Sequence, residues 1–248
     1  MTTPLTIVTG ASRGLGLALT EQLLARGHRV LAISRRHIEL AVPSGAELLH
    51  WPLDLADSAP VAARLEAWLS AVDPLQLTSV TLINNAGVVS KLAPLSQSVA
   101  DDLRNALRVG LEAPLLLTAA FLRATSGWSV PRKVLLISSG LGRRAMAGSA
   151  SYCAAKAGMD HLARAVALEE AERSNGARVA SLAPGIIDTD MQVQLRAADP
   201  ALFPEHAKFV GLKTEGQLDT PAQAATKVLR VLDRDDFGVD PVTDVRNA

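Results

Sequence analysis

The sequence predicts an α/β fold, a doubly wound parallel sheet of about seven strands with helices on both faces. Three observations predict it. Short apolar, β-branched runs alternate with longer helical patterns along the whole chain. The first run passes directly into a glycine-rich turn and then a helix. No repeat, low-complexity segment or linker interrupts the alternation, so residues 1–248 read as a single domain.

Residues 5–9, Leu-Thr-Ile-Val-Thr, form the first strand. Gly10, Ser12, Arg13, Gly14, Leu15 and Gly16 follow, and the helical pattern then runs to Gly27, a C-terminal cap. Strand, glycine turn and helix together make a phosphate cradle. The glycines admit backbone close to a pyrophosphate, and the helix start offers free N–H groups. A second strand over 28–34 ends in Ser34-Arg35-Arg36. An NAD site carries an acid here for the ribose 2′-hydroxyl. Two guanidinium groups, with Arg13 as a third, instead suit a 2′-phosphate, which points to NADP(H).

A third strand over 48–53 leads to Asp54-Leu55 and an amphipathic helix over 62–72. On its residues alone Asp54 reads as the N-cap of a helical segment beginning near Asp57. A fourth strand over 80–83 runs into Asn84-Asn85-Ala86-Gly87, and a long helical region covers 99–124. The fifth strand, 134–137, passes through Ser138-Ser139 and a glycine-containing loop into a helix over 152–171. Tyr152 and Lys156, four residues apart, share a face of it. A free phenol has a pKa of about 10 and is a poor acid or base at neutral pH. A neighbouring ammonium favours the phenolate and lowers that value, while the Ser139 hydroxyl, thirteen positions before Tyr152, is placed to polarise a carbonyl.

A sixth strand over 177–182 precedes Ala183-Pro184-Gly185-Ile186-Ile187-Asp188-Thr189-Asp190-Met191. Residues 190–219 read as a long irregular loop with Pro200 and Pro204, a mobile substrate lid. Thr220 and Pro221 open a last helix as N-cap and N1, and the tail supplies an edge strand.

Composition narrows the function. The chain has 248 residues, enough for one large core, and Lys plus Arg equals Asp plus Glu at 25 each. With no basic surplus, no nucleic-acid partner is expected. No apolar run reaches the roughly 18 residues of a membrane span, and the first residues lack a signal-peptide pattern. A cytoplasmic protein without membrane contact is the expectation. Cys153 is the single cysteine, which excludes an internal disulfide, and the five histidines show no ligand spacing, so no metal is expected.

The Thr-Gly-x-x-x-Gly-x-Gly turn, the Asn-Asn-Ala-Gly segment, the Ser139, Tyr152 and Lys156 spacing and the Pro-Gly-x-x-x-Thr segment together resemble the short-chain dehydrogenase/reductase family over nearly the whole chain. The resemblance implies a Rossmann-type fold and hydride transfer between NADP(H) and a small carbonyl substrate. It implies that Ser139, Tyr152 and Lys156 are catalytic. It further implies that Asp54 and Leu55 lie at the adenine end, Asn85, Ala86 and Gly87 beside the cofactor, and Pro184, Gly185, Ile187 and Thr189 at its carboxamide. One departure stands out: Gly110 occupies the position where most members carry an asparagine that seats a water beside the lysine.

Through Pro184-Gly185 to Asp188-Thr189-Asp190-Met191-Gln192, Gly216-Gln217-Leu218, residues 229–237 and Thr243-Asp244-Val245, the C-terminal third resembles the sepiapterin reductase and benzil reductase subgroup. That implies a ketone or vicinal diketone as substrate, contacted by Ser139, Met191 and Asp244. Asp244 also reads as a plain surface charge. The helices over 99–124 and 151–171 carry more apolar positions than one sheet face covers, and the family pairs them into a homodimer or homotetramer. The alternative from a different class is a catalytically weak NADP-binding sensor on the same fold.

Overall fold

The computed structural model describes residues 2–247. Seven parallel strands form one sheet: β1 (Thr3–Thr9), β2 (Arg29–Ser34), β3 (Glu47–Pro52), β4 (Leu77–Asn84), β5 (Arg132–Ile137), β6 (Arg178–Ala183) and β7 (Val242–Asp244), in the order β3-β2-β1-β4-β5-β6-β7. The tail therefore does add the edge strand, with Asp244 beside Ala183. Successive residues of a strand face opposite sides, and the sheet uses both. Ile7 lies between Leu31 and Leu82 on one face; Val8 lies between Ala32 and Ile83 on the other.

The first face packs on α2 (Ser58–Ser70), α4 (Ala113–Thr125) and α5 (Ala150–Ala171), through Leu65, Phe121 and Met159 among others. The second packs on α1 (Gly14–Ala25) and α8 (Pro221–Leu232), through Leu19, Leu23, Val228 and Leu229. Strand residues at 0% exposure on both faces explain the nearly continuous apolar runs in the sequence. Thr220 and Gln223 form a reciprocal capping box at the start of α8, with Pro221 in the first turn.

Two expectations need correction. The helical region over 99–124 is not one regular helix. It consists of α3 (Ala100–Leu107), a π turn (Arg108–Glu112) and α4. Pro114 lacks the N–H that would close a regular bond to Gly110, and its ring crowds that carbonyl, so the wider turn forms just before it. This span, Ala100–Thr125, is long and apolar enough by length and composition to cross a membrane; half of its most apolar window is buried in the fold.

Residues 190–219 are also not an irregular loop. They hold α6 (Asp190–Arg196) and α7 (His206–Thr214). Their apolar residues follow helical spacing, Met191 with Leu195 and Phe209 with Leu212, and the two prolines fall in the connection between them. Phe203 and Phe209 stack with centroids 5.6 Å apart, in a small core with Leu92, Met146 and Leu195.

Candidate active site

A cleft of about 1130 Å³ runs across the carboxyl ends of the strands. It spans the point where the chain order reverses, between β1 and β4, which is where open parallel sheets bind ligands. At its floor Gly10 and Gly14 have φ of 66° and 53°, the left-handed region. Gly16 is needed for a different reason: a Cβ there would stand 2.2 Å from the Gly10 carbonyl oxygen. Arg13 stands at the cap of α1 in extended conformation, its side chain makes no bond to the helix start, and the first turn contains no acid, so the N–H groups there stay open to a phosphate.

The Thr9 hydroxyl accepts from the backbone N–H groups of Asn85 and Ala86 at 2.9 and 3.0 Å. The Asn85 amide donates back to the carbonyls of Thr9 and Gly10 at 2.9 and 3.3 Å. These bonds lock the ends of β1 and β4 side by side. Ser12 and Leu15 line the same end of the cleft.

Beyond β2, Ser34, Arg35 and Arg36 line the cleft. The buried Ser34 hydroxyl donates to the Arg36 carbonyl at 3.0 Å, which fixes this turn. Arg35 lies 3.7 Å from the carboxylate of Asp54, and Arg13 pairs with Asp190 at 2.8 Å; these side chains are about half exposed or more. Asp54 does not cap α2. Its side chain accepts from the Ala56 N–H at 2.9 Å in a local turn, while Asp54 and Leu55 both line the cleft. That removes the capping alternative. The glycine cradle, the open helix start and the arginines fit a dinucleotide carrying an extra phosphate.

At the other end Ser139, Tyr152 and Lys156 line one wall together, with Gly87 opposite, where a Cβ would lie 3.7 Å from the Lys156 ammonium. Ser139 leaves β5 in extended conformation, and its hydroxyl accepts from the Leu141 N–H at 3.2 Å. Lys156 is 3% exposed; its ammonium donates to the Ile137 carbonyl at 2.6 Å and stands 5.5 Å from the Tyr152 ring centre. Burial pushes the Tyr152 phenol up to about 12, with the Ser139 hydroxyl pulling the other way. Burial brings Lys156 down to about 8, opposed by Asp160.

The expected lowering of the tyrosine by the lysine is therefore not what this structure shows. Removal from water raises the phenol and outweighs the opposing hydrogen bond from Ser139, so the protonated form is held. Pro184, Gly185, Ile187 and Thr189 line the cleft above, and Gly14 approaches Thr189 closely, with a Cβ there 3.2 Å from its methyl.

Asp244 is no surface charge. It is 3% exposed and lines the cleft, with Met191. Its carboxylate is already held by Arg246 through two side-chain bonds of 2.8 and 2.6 Å and one from the Arg246 N–H, which keeps it below the usual carboxylate range. Gly110 is buried in the π turn, and a Cβ there would meet the Ala155 methyl at 3.2 Å. Ala155 precedes Lys156, so a side chain at 110 presses on the helix that carries the site. The usual stability gain from replacing a helical glycine does not carry over to this position.

Sequence reasoning missed several polar residues that line the reaction end. Arg144 pairs with Glu205 at 2.8 Å, and Lys208 with the same carboxylate at 3.1 Å. Ser149 and Gln192 are both buried, each with an oxygen that has no hydrogen-bond partner. Ser149 sits immediately before α5, the cap position, which is a legible signal for a polar role, but its hydroxyl makes no cap bond. No metal-ligand cluster occurs among the described residues.

A family model described as short chain dehydrogenase matches residues 4–200. The chain belongs to the short-chain dehydrogenase family. Its similarity to individual members extends over nearly its full length. It is 33% identical over 235 residues to the benzil reductase ((S)-benzoin forming) of Bacillus cereus, covering 93% of this chain and 94% of that protein. It is 34% identical over 247 residues to the sepiapterin reductase of Meriones unguiculatus, covering 93% and 92%. A solved short-chain dehydrogenase/reductase from Burkholderia vietnamiensis superposes with a TM-score of 0.64 at 35% identity, covering 99% of each chain. The short-chain dehydrogenase fold, and oxidoreductase chemistry on carbonyl groups, are accordingly those of this chain.

Proposed function

We propose that the protein is an NADPH-dependent carbonyl reductase acting on a ketone or vicinal diketone. The observation that carries this reading is the convergence of Ser139, Tyr152 and Lys156 on one wall of a cleft whose far end fits a phosphorylated dinucleotide. A bound NADPH supplies hydride at its nicotinamide ring. The chain's own residues do the rest. The Ser139 hydroxyl, held by its own turn, orients and polarises the carbonyl oxygen. Tyr152, kept protonated by burial, gives that oxygen a proton; an alkoxide is a stronger base than a phenolate, so the transfer runs downhill. Lys156 holds the cofactor ribose and offsets the phenolate charge. Helices α6 and α7 cover the substrate and exclude water.

Two relatives, one named for benzil and one for sepiapterin, support this substrate class. The buried Asp244 supports a substrate with an N–H donor, on condition that Arg246 yields part of its grip. The test is NADPH oxidation with benzil, 1-phenyl-1,2-propanedione and a pterin ketone, read by absorbance. Binding of NADPH without consumption of any of them would favour the sensor reading.

The same reading sets cofactor choice. NADPH is expected to bind far more tightly than NADH because β2 ends in Arg35 and Arg36, which line the cleft, and carries no acid at its own end. Arg35→Asp is expected to narrow or reverse the preference. Equal affinity of the wild type for both cofactors, by fluorescence titration, would refute this assignment.

A homo-oligomer is the proposed assembly. Leu107, Leu115 and Leu168 are 38%, 45% and 73% exposed on α3, α4 and α5, on the outer side of the helical layer. Pairing these helices across a two-fold axis buries them. Leu168→Glu is expected to shift the light-scattering mass towards the monomer; a wild type already monomeric at micromolar concentration would rule the interface out.

A further inference from the structure

Lys156 keeps its ammonium inside the protein, yet the groups touching it carry no charge: the Ile137 carbonyl at 2.6 Å and the Met159 sulfur at 3.6 Å. Buried charges require compensation. One turn further along α5 lies Asp160, 2% exposed and on the same helix face. Its carboxylate accepts from the Ser181 hydroxyl of β6 at 2.7 Å and from the Arg143 side chain at 3.2 Å.

Arg143 ends the short turn Gly140–Gly142 that follows Ser139. That turn is pressed against Asp160 so closely that a Cβ on Gly142 would stand 2.6 Å from the carboxylate and 2.9 Å from the Lys156 carbonyl. Arg143 also donates to the Thr243 carbonyl at 3.0 Å, beside Asp244. One carboxylate thus joins the helix bearing Tyr152 and Lys156, the turn bearing Ser139, β6 and, through Arg143, β7.

We propose that Asp160 is a positioning residue for the reaction: it fixes the Ser139 turn against α5 and supplies the negative charge that keeps Lys156 protonated. The proposal rests on the reductase reading above. The surrounding charges are few. Tyr152 and Asp160 face Lys156 from its own helix, β5 brings the Ile137 carbonyl, and the segment after β4 brings Gly87, which has no side chain. Arg143 and Ser181 face Asp160 from the turn and from β6, and the Asp244–Arg246 pair stands beyond them on the β7 side. In an interior of low dielectric, a carboxylate one turn away acts on an ammonium far more strongly than it would in water.

Asp160→Asn keeps the shape and an acceptor for Ser181 while removing the charge. The alkaline limb of the kcat/KM profile with NADPH and benzil is expected to move down by about one pH unit. An NMR titration of Cε-labelled lysine, with the Lys156 signal assigned by its loss in Lys156→Arg, is expected to show the same shift. Ser181→Ala removes the hydrogen bond and keeps the charge, so it is expected to lower stability and leave the Lys156 titration in place. Arg143→Gln exposes Lys156 to more of the Asp160 charge and is expected to move the titration upward, which keeps the idea testable if Asp160→Asn fails to fold. An unchanged Lys156 titration in Asp160→Asn, an equal shift in Ser181→Ala, or no upward shift in Arg143→Gln would overturn it. Should the wild type consume no NADPH, the reductase reading falls, while the NMR titrations still decide the role of Asp160 towards Lys156.

Discussion

Tyr152→Phe is expected to lower turnover by about 10²–10⁴-fold, the range that a positioned general acid contributes, with NADPH affinity unchanged. The substitution keeps the ring that packs beside the Lys156 ammonium and removes only the hydroxyl facing Ser139. Absorbance of NADPH gives the rate, and fluorescence gives the binding. Near-normal turnover would place the acid elsewhere on the wall. The composition offers a second check. Tyr152 is the single tyrosine of the chain, so tyrosinate absorbance reports this site alone. Its midpoint in the free protein is expected at about 12, where burial places it. A midpoint at the value of an exposed phenol would mean that the wall is open to water.

Lys156→Met is expected to abolish turnover and, in the same variant, to remove a pH-dependent strain on the fold. Burial lowers the ammonium to about 8 in the folded chain from an ordinary 10.5. A depressed folded value contributes stability that is fully present above 10.5 and is lost as pH falls through about 8. At neutral pH the wild type therefore carries a charged group it would hold more easily unfolded, at a cost on the order of 3 kcal/mol. Methionine fills the space without that cost but leaves the Ile137 carbonyl without its donor, a loss of about 1–3 kcal/mol. The carbonyl loss is the same at every pH. The stability of the variant relative to wild type is thus expected to fall by about 2 kcal/mol between neutral pH and about pH 10, measured by urea unfolding. A pH-independent difference would show that Lys156 is not desolvated.

Most of the sheet was legible because buried parallel strands are written as plain apolar runs, 5–9 and 134–137 among them, while the glycine turn and the Thr220-Pro221 helix start have local rules. Most features that escaped depend on contacts between elements far apart in sequence. Pro114 was visible, but the π turn it forces before itself also depends on how α4 packs. Helices α6 and α7 hid behind two prolines that fall between them. The direction of the Tyr152 shift could not be read from Tyr-x-x-x-Lys, because spacing conveys neighbours and not the depth of burial that raises the phenol. Asp160, four residues past Lys156, looked like any charge on a helix until Ser181 and Arg143 closed on it. Likewise, Asp244 became a wall of the cleft only once β7 paired with β6.

The small core beneath α6 and α7 shares no buried residue with the clusters on the two faces of the sheet. Replacements among Leu92, Met146, Leu195, Phe203 and Phe209 therefore leave their packing cost in that cluster, and their effects add to changes elsewhere instead of compounding them. The dinucleotide half is anchored separately, by the Thr9 and Asn85 bonds and the glycine contacts beneath it. In mechanical terms the molecule is modular: a change in the packing under α6 and α7 is insulated from the glycine turn and the bonds that hold β1 and β4 side by side.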